Sequence, residues 1–149
     1  MKIITKFFGE ITIKEEDILT FPHGLPGFSE EKAFVLLPIE NNPIFQVLQS
    51  TKGLNPAFIV VNPYHFKKDY EFVLDSGTVE LLQIKTEKDV EVIAIASLKE
   101  LFEESTVNLQ APIVVNQKEK LAKQFITNSS EYSTKETIFT KKTLQVKED

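Results

Sequence analysis

The side chains in this chain best able to do chemistry are its carboxylates, which occur in adjacent groups: Glu15-Glu16-Asp17, Glu30-Glu31 and Glu103-Glu104. Paired carboxylates act as general acid and base only inside an enclosed pocket that separates their roles. Neighbours in sequence on polar stretches are normally solvated, and no such pocket is implied here. His23 and His65 are the only histidines, and with no cysteine in the chain they make a poor metal set. The absence of cysteine also removes disulfides and thiol catalysis. No serine sits in a Gly-x-Ser-x-Gly elbow, and neither a phosphate loop nor a dinucleotide fingerprint is present. The expectation is a protein with no catalytic residue, no cofactor and no metal, whose carboxylates serve as contact charges.

Charge distribution points the same way. The net charge is −5 with a pI of about 5.2, and all seventeen basic residues are lysine. Arginine supplies the bidentate fork for phosphate and guanine, so its absence weighs against direct nucleic-acid binding. Acid is concentrated in residues 10–40, where Glu10, Glu15, Glu16, Asp17, Glu30, Glu31 and Glu40 face only Lys14 and Lys32. Glu100, Glu103 and Glu104 form a second cluster. Such a surface attracts basic partners and repels nucleic acid.

These charges must be carried by a single domain, because 149 residues fit one core. The pattern is mostly strand. Segments 2–8 and 10–14 alternate around Gly9, and 17–21, 33–37, 45–49, 57–61, 70–74 and 90–96 are further strand candidates. Pro38 is expected to end the fourth of these. Residues 76–84 are the best helix candidate, with Ser76 as cap, and 97–105 suits one or two helical turns. Residues 109–115 read as a strand interrupted by Pro112, at an edge or a bulge, with 121–126 returning antiparallel to it. The expected fold is mainly β: a single-domain, antiparallel, barrel-like sheet with one or two short helices, spanning 1–140, with a frayed tail at 141–149. No apolar run is long enough to cross a bilayer and no export signal opens the chain, so a cytoplasmic protein is expected.

Two motifs stand out. Phe21-Pro22-His23-Gly24-Leu25-Pro26-Gly27-Phe28 combines glycines suited to positive φ with a proline that extends Leu25. It reads either as a corner whose Leu25 and Phe28 plug the core or as a rigid docking ridge. Asn108-Leu109-Gln110-Ala111-Pro112-Ile113-Val114-Val115-Asn116 is the second. In it Asn108, Leu109, Ala111, Pro112 and Asn116 are taken as structural, as are Phe21, Gly24, Pro26 and Gly27 in the first.

Together with Phe45, Leu48-Gln49-Ser50, Ala57-Phe58-Ile59-Val60-Val61-Asn62-Pro63, Tyr70, Asp89-Val90-Glu91-Val92 and Gln124-Phe125-Ile126, these motifs resemble the flagellar assembly factor FliW family over residues 3–132. Family members often carry aspartate where Asn62 stands, and arginine in the C-terminal strand. The resemblance implies a small β-barrel-like protein without enzymatic activity. It also implies that the chain binds the RNA-binding translational repressor CsrA and relieves its repression of flagellin mRNA, with flagellin as the competing partner. The expected partner-binding residues are Glu15, Glu16, Asp17, Leu25, Phe28, Glu30, Glu31, Glu103 and Glu104. Alternatives are a barrel that encloses a metabolite, an oligonucleotide-binding barrel and a general flagellin chaperone.

Overall fold

A computed structural model describes residues 1–138. The expected tail at 141–149 lies outside the described residues. The chain opens with a hairpin, β1 (Lys2–Thr5) and β2 (Gly9–Thr12), where Gly9 takes φ +67° at the turn. Strands β3 (Ile18–Thr20), β4 (Ala33–Ile39), β5 (Asn42–Ser50) and β6 (Ala57–Val61) follow as an antiparallel succession. After a long excursion that includes helix α1 (Ser76–Leu81) come β7 (Val90–Ser97), β8 (Thr106–Val107), β9 (Ile113–Asn116), β10 (Leu121–Gln124) and β11 (Glu136–Thr137).

The sheet closes on itself. Strand order runs β7-β6-β5-β4-β3-β10-β9, and β9 pairs back with β7. Every joint in this ring is antiparallel except β3–β10, which is parallel and brief, with Leu121 opposite Thr20. No turn links those two strands, so nothing local imposes the antiparallel direction expected from sequence.

Alternation decides which side chains fill the ring. Leu19, Phe21, Leu25, Phe34, Leu48, Val60, Ile93, Ile113, Val115 and Ala122 pack inside, with Phe21 edge-on to Phe34 at 5.1 Å. This cluster is apolar, as a small ring of strands requires. Residues of opposite parity point outward and are covered by three further layers. The β1–β2 hairpin lays Ile3 and Ile13 on Val35, Leu37 and Val47. Tyr70, Tyr132 and Ile138 cover Phe45, Val61 and Ala94. Leu82 and Phe125 cover Val114. Gln49, fully buried, ties the hairpin to the ring: its Oε1 accepts the Lys6 N–H, and its Nε2 donates to the Gly53 and Leu54 carbonyls.

Several expectations from sequence are corrected. Residues 70–74 form no strand: Tyr70, Phe72 and Leu74 are packed by alternation, but the segment crosses the outside of the ring without a partner strand. The helix ends at Leu81, and its cap is Asp75, whose carboxylate accepts the Thr78 N–H at 2.7 Å, rather than Ser76. Gln83 at φ +54° breaks the helical path before Ile84. Pro38 does not end β4, which reaches Ile39 through a register shift where the missing N–H falls. Residues 97–105, by contrast, hold one helical turn as expected, a 3₁₀ turn at Phe102–Glu104.

Candidate partner-binding surfaces

The first motif makes a corner, and the side chains of its anticipated ridge part company. Leu25 and Phe28 exchange backbone hydrogen bonds around Pro26-Gly27. This tight turn sends Leu25 into the ring interior, 2% exposed, while Phe28 stays outside, 40% exposed and edge-on to Phe58 at 5.9 Å. Leu25 is therefore corrected from contact residue to core plug. Gly24 holds the corner at φ +65°, with its N–H on the Phe21 carbonyl.

The second motif is a structural hub built around a bulge. Both β8 and β9 pair antiparallel with β7, but residues 108–112 stand opposite only residues 94 and 95. The extra residues loop out and are satisfied one by one. The Asn108 carbonyl side chain accepts the Ala111 N–H, and the Leu109 carbonyl accepts the Tyr70 hydroxyl at 2.6 Å. The Ala111 carbonyl accepts from Gln124 Nε2, and the Pro112 carbonyl from the Phe125 N–H. Pro112 thus sits at a bulge, and β9 is no edge, because β7 and β10 flank it.

Asn116, 1% exposed, donates to the Leu82 and Gln83 carbonyls and accepts the Lys118 and Glu119 N–H groups. That arrangement welds the end of α1 to the β9–β10 turn.

The carboxylates occupy separate places. Glu15, Glu16 and Asp17 form an exposed 3₁₀ turn in which Asp17 accepts the Lys14 N–H and Glu16 lies 3.9 Å from Lys14 Nζ. Glu30 is exposed, whereas Glu31 is half-buried and accepts the Ser50 hydroxyl. Glu103 and Glu104 share the excursion between β7 and β8 with Glu100 and the exposed Leu98, Leu101 and Phe102. Phe102 meets Phe45 edge-on at 5.9 Å. This corner of apolar side chains bordered by three acids was half missed from sequence. Its signal is Leu98-Lys99-Glu100-Leu101-Phe102, large apolar residues in an acidic connection where polar ones would suffice.

A groove of about 860 Å³ runs between the 71–74 segment and the start of β7. Phe72, Leu74, Val79, Ile84, Val90 and Val92 make its floor and walls, and Glu71, Glu87 and Glu91 stand among its lining residues. Among the described residues no cluster of three metal-ligating groups occurs, and no helix is long and apolar enough to cross a membrane.

The family model of the FliW protein matches residues 2–138. The chain belongs to the FliW family. It is 51% identical to the flagellar assembly factor FliW of Bacillus subtilis, over 93% of this chain and 96% of that one. The corresponding protein of Oceanobacillus iheyensis is also 51% identical, over 93% of this chain and 94% of its own. A crystal structure of the flagellar assembly factor FliW superposes with a TM-score of 0.90 at 43% identity, covering 95% of this chain and 99% of the other. Asn62 Oδ1 accepts the Tyr64 N–H at 2.9 Å, a capping role that an aspartate would fill equally.

Beside the groove, three tyrosine rings meet in a cluster. Tyr70 lies 5.7 Å from Tyr64 and 4.7 Å from Tyr132, ring centre to ring centre. Burial pushes the Tyr70 phenol far above its ordinary value of 10.0, and the neighbouring Tyr64 and Tyr132 add to the shift. The folded state therefore holds this proton more tightly than the unfolded chain does. Its stabilisation is complete below pH 10 and is lost as the unfolded phenol ionises above it. A pH series of urea melts is expected to show stability falling from about pH 10 upward, and Tyr70→Phe is expected to flatten that fall. An unchanged alkaline slope in the variant would assign the loss to other groups.

Proposed function

We propose that this chain acts in flagellar assembly as a non-enzymatic, cytoplasmic regulator. It binds the CsrA-type repressor, which frees flagellin mRNA for translation, and it binds flagellin as the competing partner. When flagellin accumulates it occupies the chain, CsrA is released and repression resumes. The observation that carries this reading is the acid-bordered apolar corner at 98–104 on a member of the FliW family. A basic RNA-binding protein would be steered to it by charge and held by Leu101 and Phe102.

The test is calorimetric titration with purified CsrA and flagellin at two salt concentrations. Binding to both, each displacing the other, is the expected result. Reversal of Glu100, Glu103 and Glu104 to lysine is expected to slow CsrA association by tenfold or more at low salt and to abolish its salt dependence. Reversal of Glu15, Glu16 and Asp17 serves as the comparison. If only the second set matters, the contact lies on the front turn. If neither partner binds, the partner switch is wrong.

A further inference from the structure

The groove beside β7 is open because one strand stops short. In the β7–β9 ladder the Gln117 N–H bonds to the Asp89 carbonyl, so residues 89, 91 and 93 direct their main-chain groups at β9. Val92 must then direct its N–H and C=O the opposite way, toward β6. The β6–β7 register places Val61 opposite Ala94, and the next bonded position on β6 would be residue 63. Residue 63 is proline, which has no N–H, and its carbonyl is already taken by the Phe66 and Lys67 N–H groups of the turn that begins there. The edge of β7 at Val92 is thereby left without a partner strand. Across the groove, residues 72–74 belong to no strand, and among the described residues their main-chain groups make no hydrogen bond. Val73 is 90% exposed there.

We propose that this groove is a β-augmentation site for an extended segment of a protein partner with alternating apolar and basic side chains. The inference rests on the reading of this chain as a protein-binding regulator and specifies how one partner segment is held. Main-chain pairing to Val92 supplies the hydrogen bonds. One face of the segment lies on Phe72, Val90 and Val92, and its alternate side chains, lysine or arginine, meet Glu71, Glu87 and Glu91. Charge selects the occupant: three carboxylates against Lys85 among the groove's lining residues disfavour an acidic strand.

The experiment uses the full chain and a blocked octapeptide of alternating valine and lysine, with amide hydrogen exchange and calorimetry as readouts. The Val92 amide is expected to exchange freely in the free protein and to slow at least tenfold when the peptide saturates. The same peptide N-methylated at alternate amides keeps every side chain and is expected to bind at least tenfold more weakly. An alternating serine–lysine peptide is expected to bind weakly as well. Equal binding by the methylated peptide would overturn strand pairing, and a Val92 amide already protected in the free protein would show the edge to be covered. Self-association reversed by the peptide would assign the groove to a second copy and overturn a foreign partner. Titrating CsrA and flagellin into the same samples separates the two claims. Partners that bind while the peptide does not leave the regulatory reading standing and remove the groove; the reverse outcome does the opposite.

Discussion

Gly24→Ala is expected to lower stability by about 3 kcal/mol, from a strained backbone and a steric overlap acting together. Gly24 holds φ +65°, and a Cβ built on it would lie 2.7 Å from both the Phe28 and Ser29 carbonyl oxygens. Both contacts are backbone, so no side chain can rotate away. Relief requires the 24–29 corner to open, which would withdraw Leu25 from the ring interior. Gly27→Ala is the control. That glycine also has positive φ, +82°, but nothing lies within 4 Å of its added carbon, so a cost of about 1 kcal/mol is expected. Urea denaturation of the pair checks the argument. Equal losses would mean that the close approach at Gly24 relaxes without cost.

Asn116→Leu is expected to cost on the order of 3 kcal/mol, because it removes four hydrogen bonds while leaving their backbone partners in place. The side chain is 1% exposed, and it donates to the Leu82 carbonyl at 2.7 Å and to the Gln83 carbonyl at 3.1 Å. Its oxygen organises the turn through the Lys118 and Glu119 N–H groups. Leucine has the same branched skeleton, so no cavity opens and the loss reports mainly on polar satisfaction. The expected local signature is faster amide exchange in α1 and at 118–120, with the interior strands β5 and β6 following only the global change. A loss under about 1 kcal/mol would mean that water replaces the amide.

Why these two positions matter was partly legible in the sequence. Gly24 and Gly27 announce positive φ by residue type, yet only the fold separates them, because the carbonyls that crowd Gly24 arrive from residues four and five places on. The strand pattern was readable for a similar reason. Segments such as 10–14, Glu-Ile-Thr-Ile-Lys, alternate between a covered and an exposed face, and period two survives in the sequence. Residues 70–74 carry the same alternation and deceived, because packing through Tyr70, Phe72 and Leu74 needs extended backbone but no partner strand. Alternation reports which face is buried. It does not report whether an edge is paired.

Contact residues were least legible. Adjacent Glu30 and Glu31 look alike in sequence, but the Ser50 hydroxyl holds one of them and solvent the other. Leu25 and Phe28 look like one ridge, and a two-residue turn points them to opposite sides of the sheet. The acid-bordered corner at 98–104 needed Phe45, more than fifty residues earlier, before it became a surface.

By itself the sequence determined a mainly β fold, a net charge of −5 and the motifs that mark the FliW family. Those properties depend on residue type and short-range spacing, which the linear chain carries in full. Tertiary structure alone decided that the sheet closes through a parallel joint between β3 and β10, that a cluster of three tyrosines covers its outside, and that Pro63 leaves the edge of β7 unpaired. Each of these depends on groups brought together from distant parts of the chain, and local pattern places no constraint on such meetings.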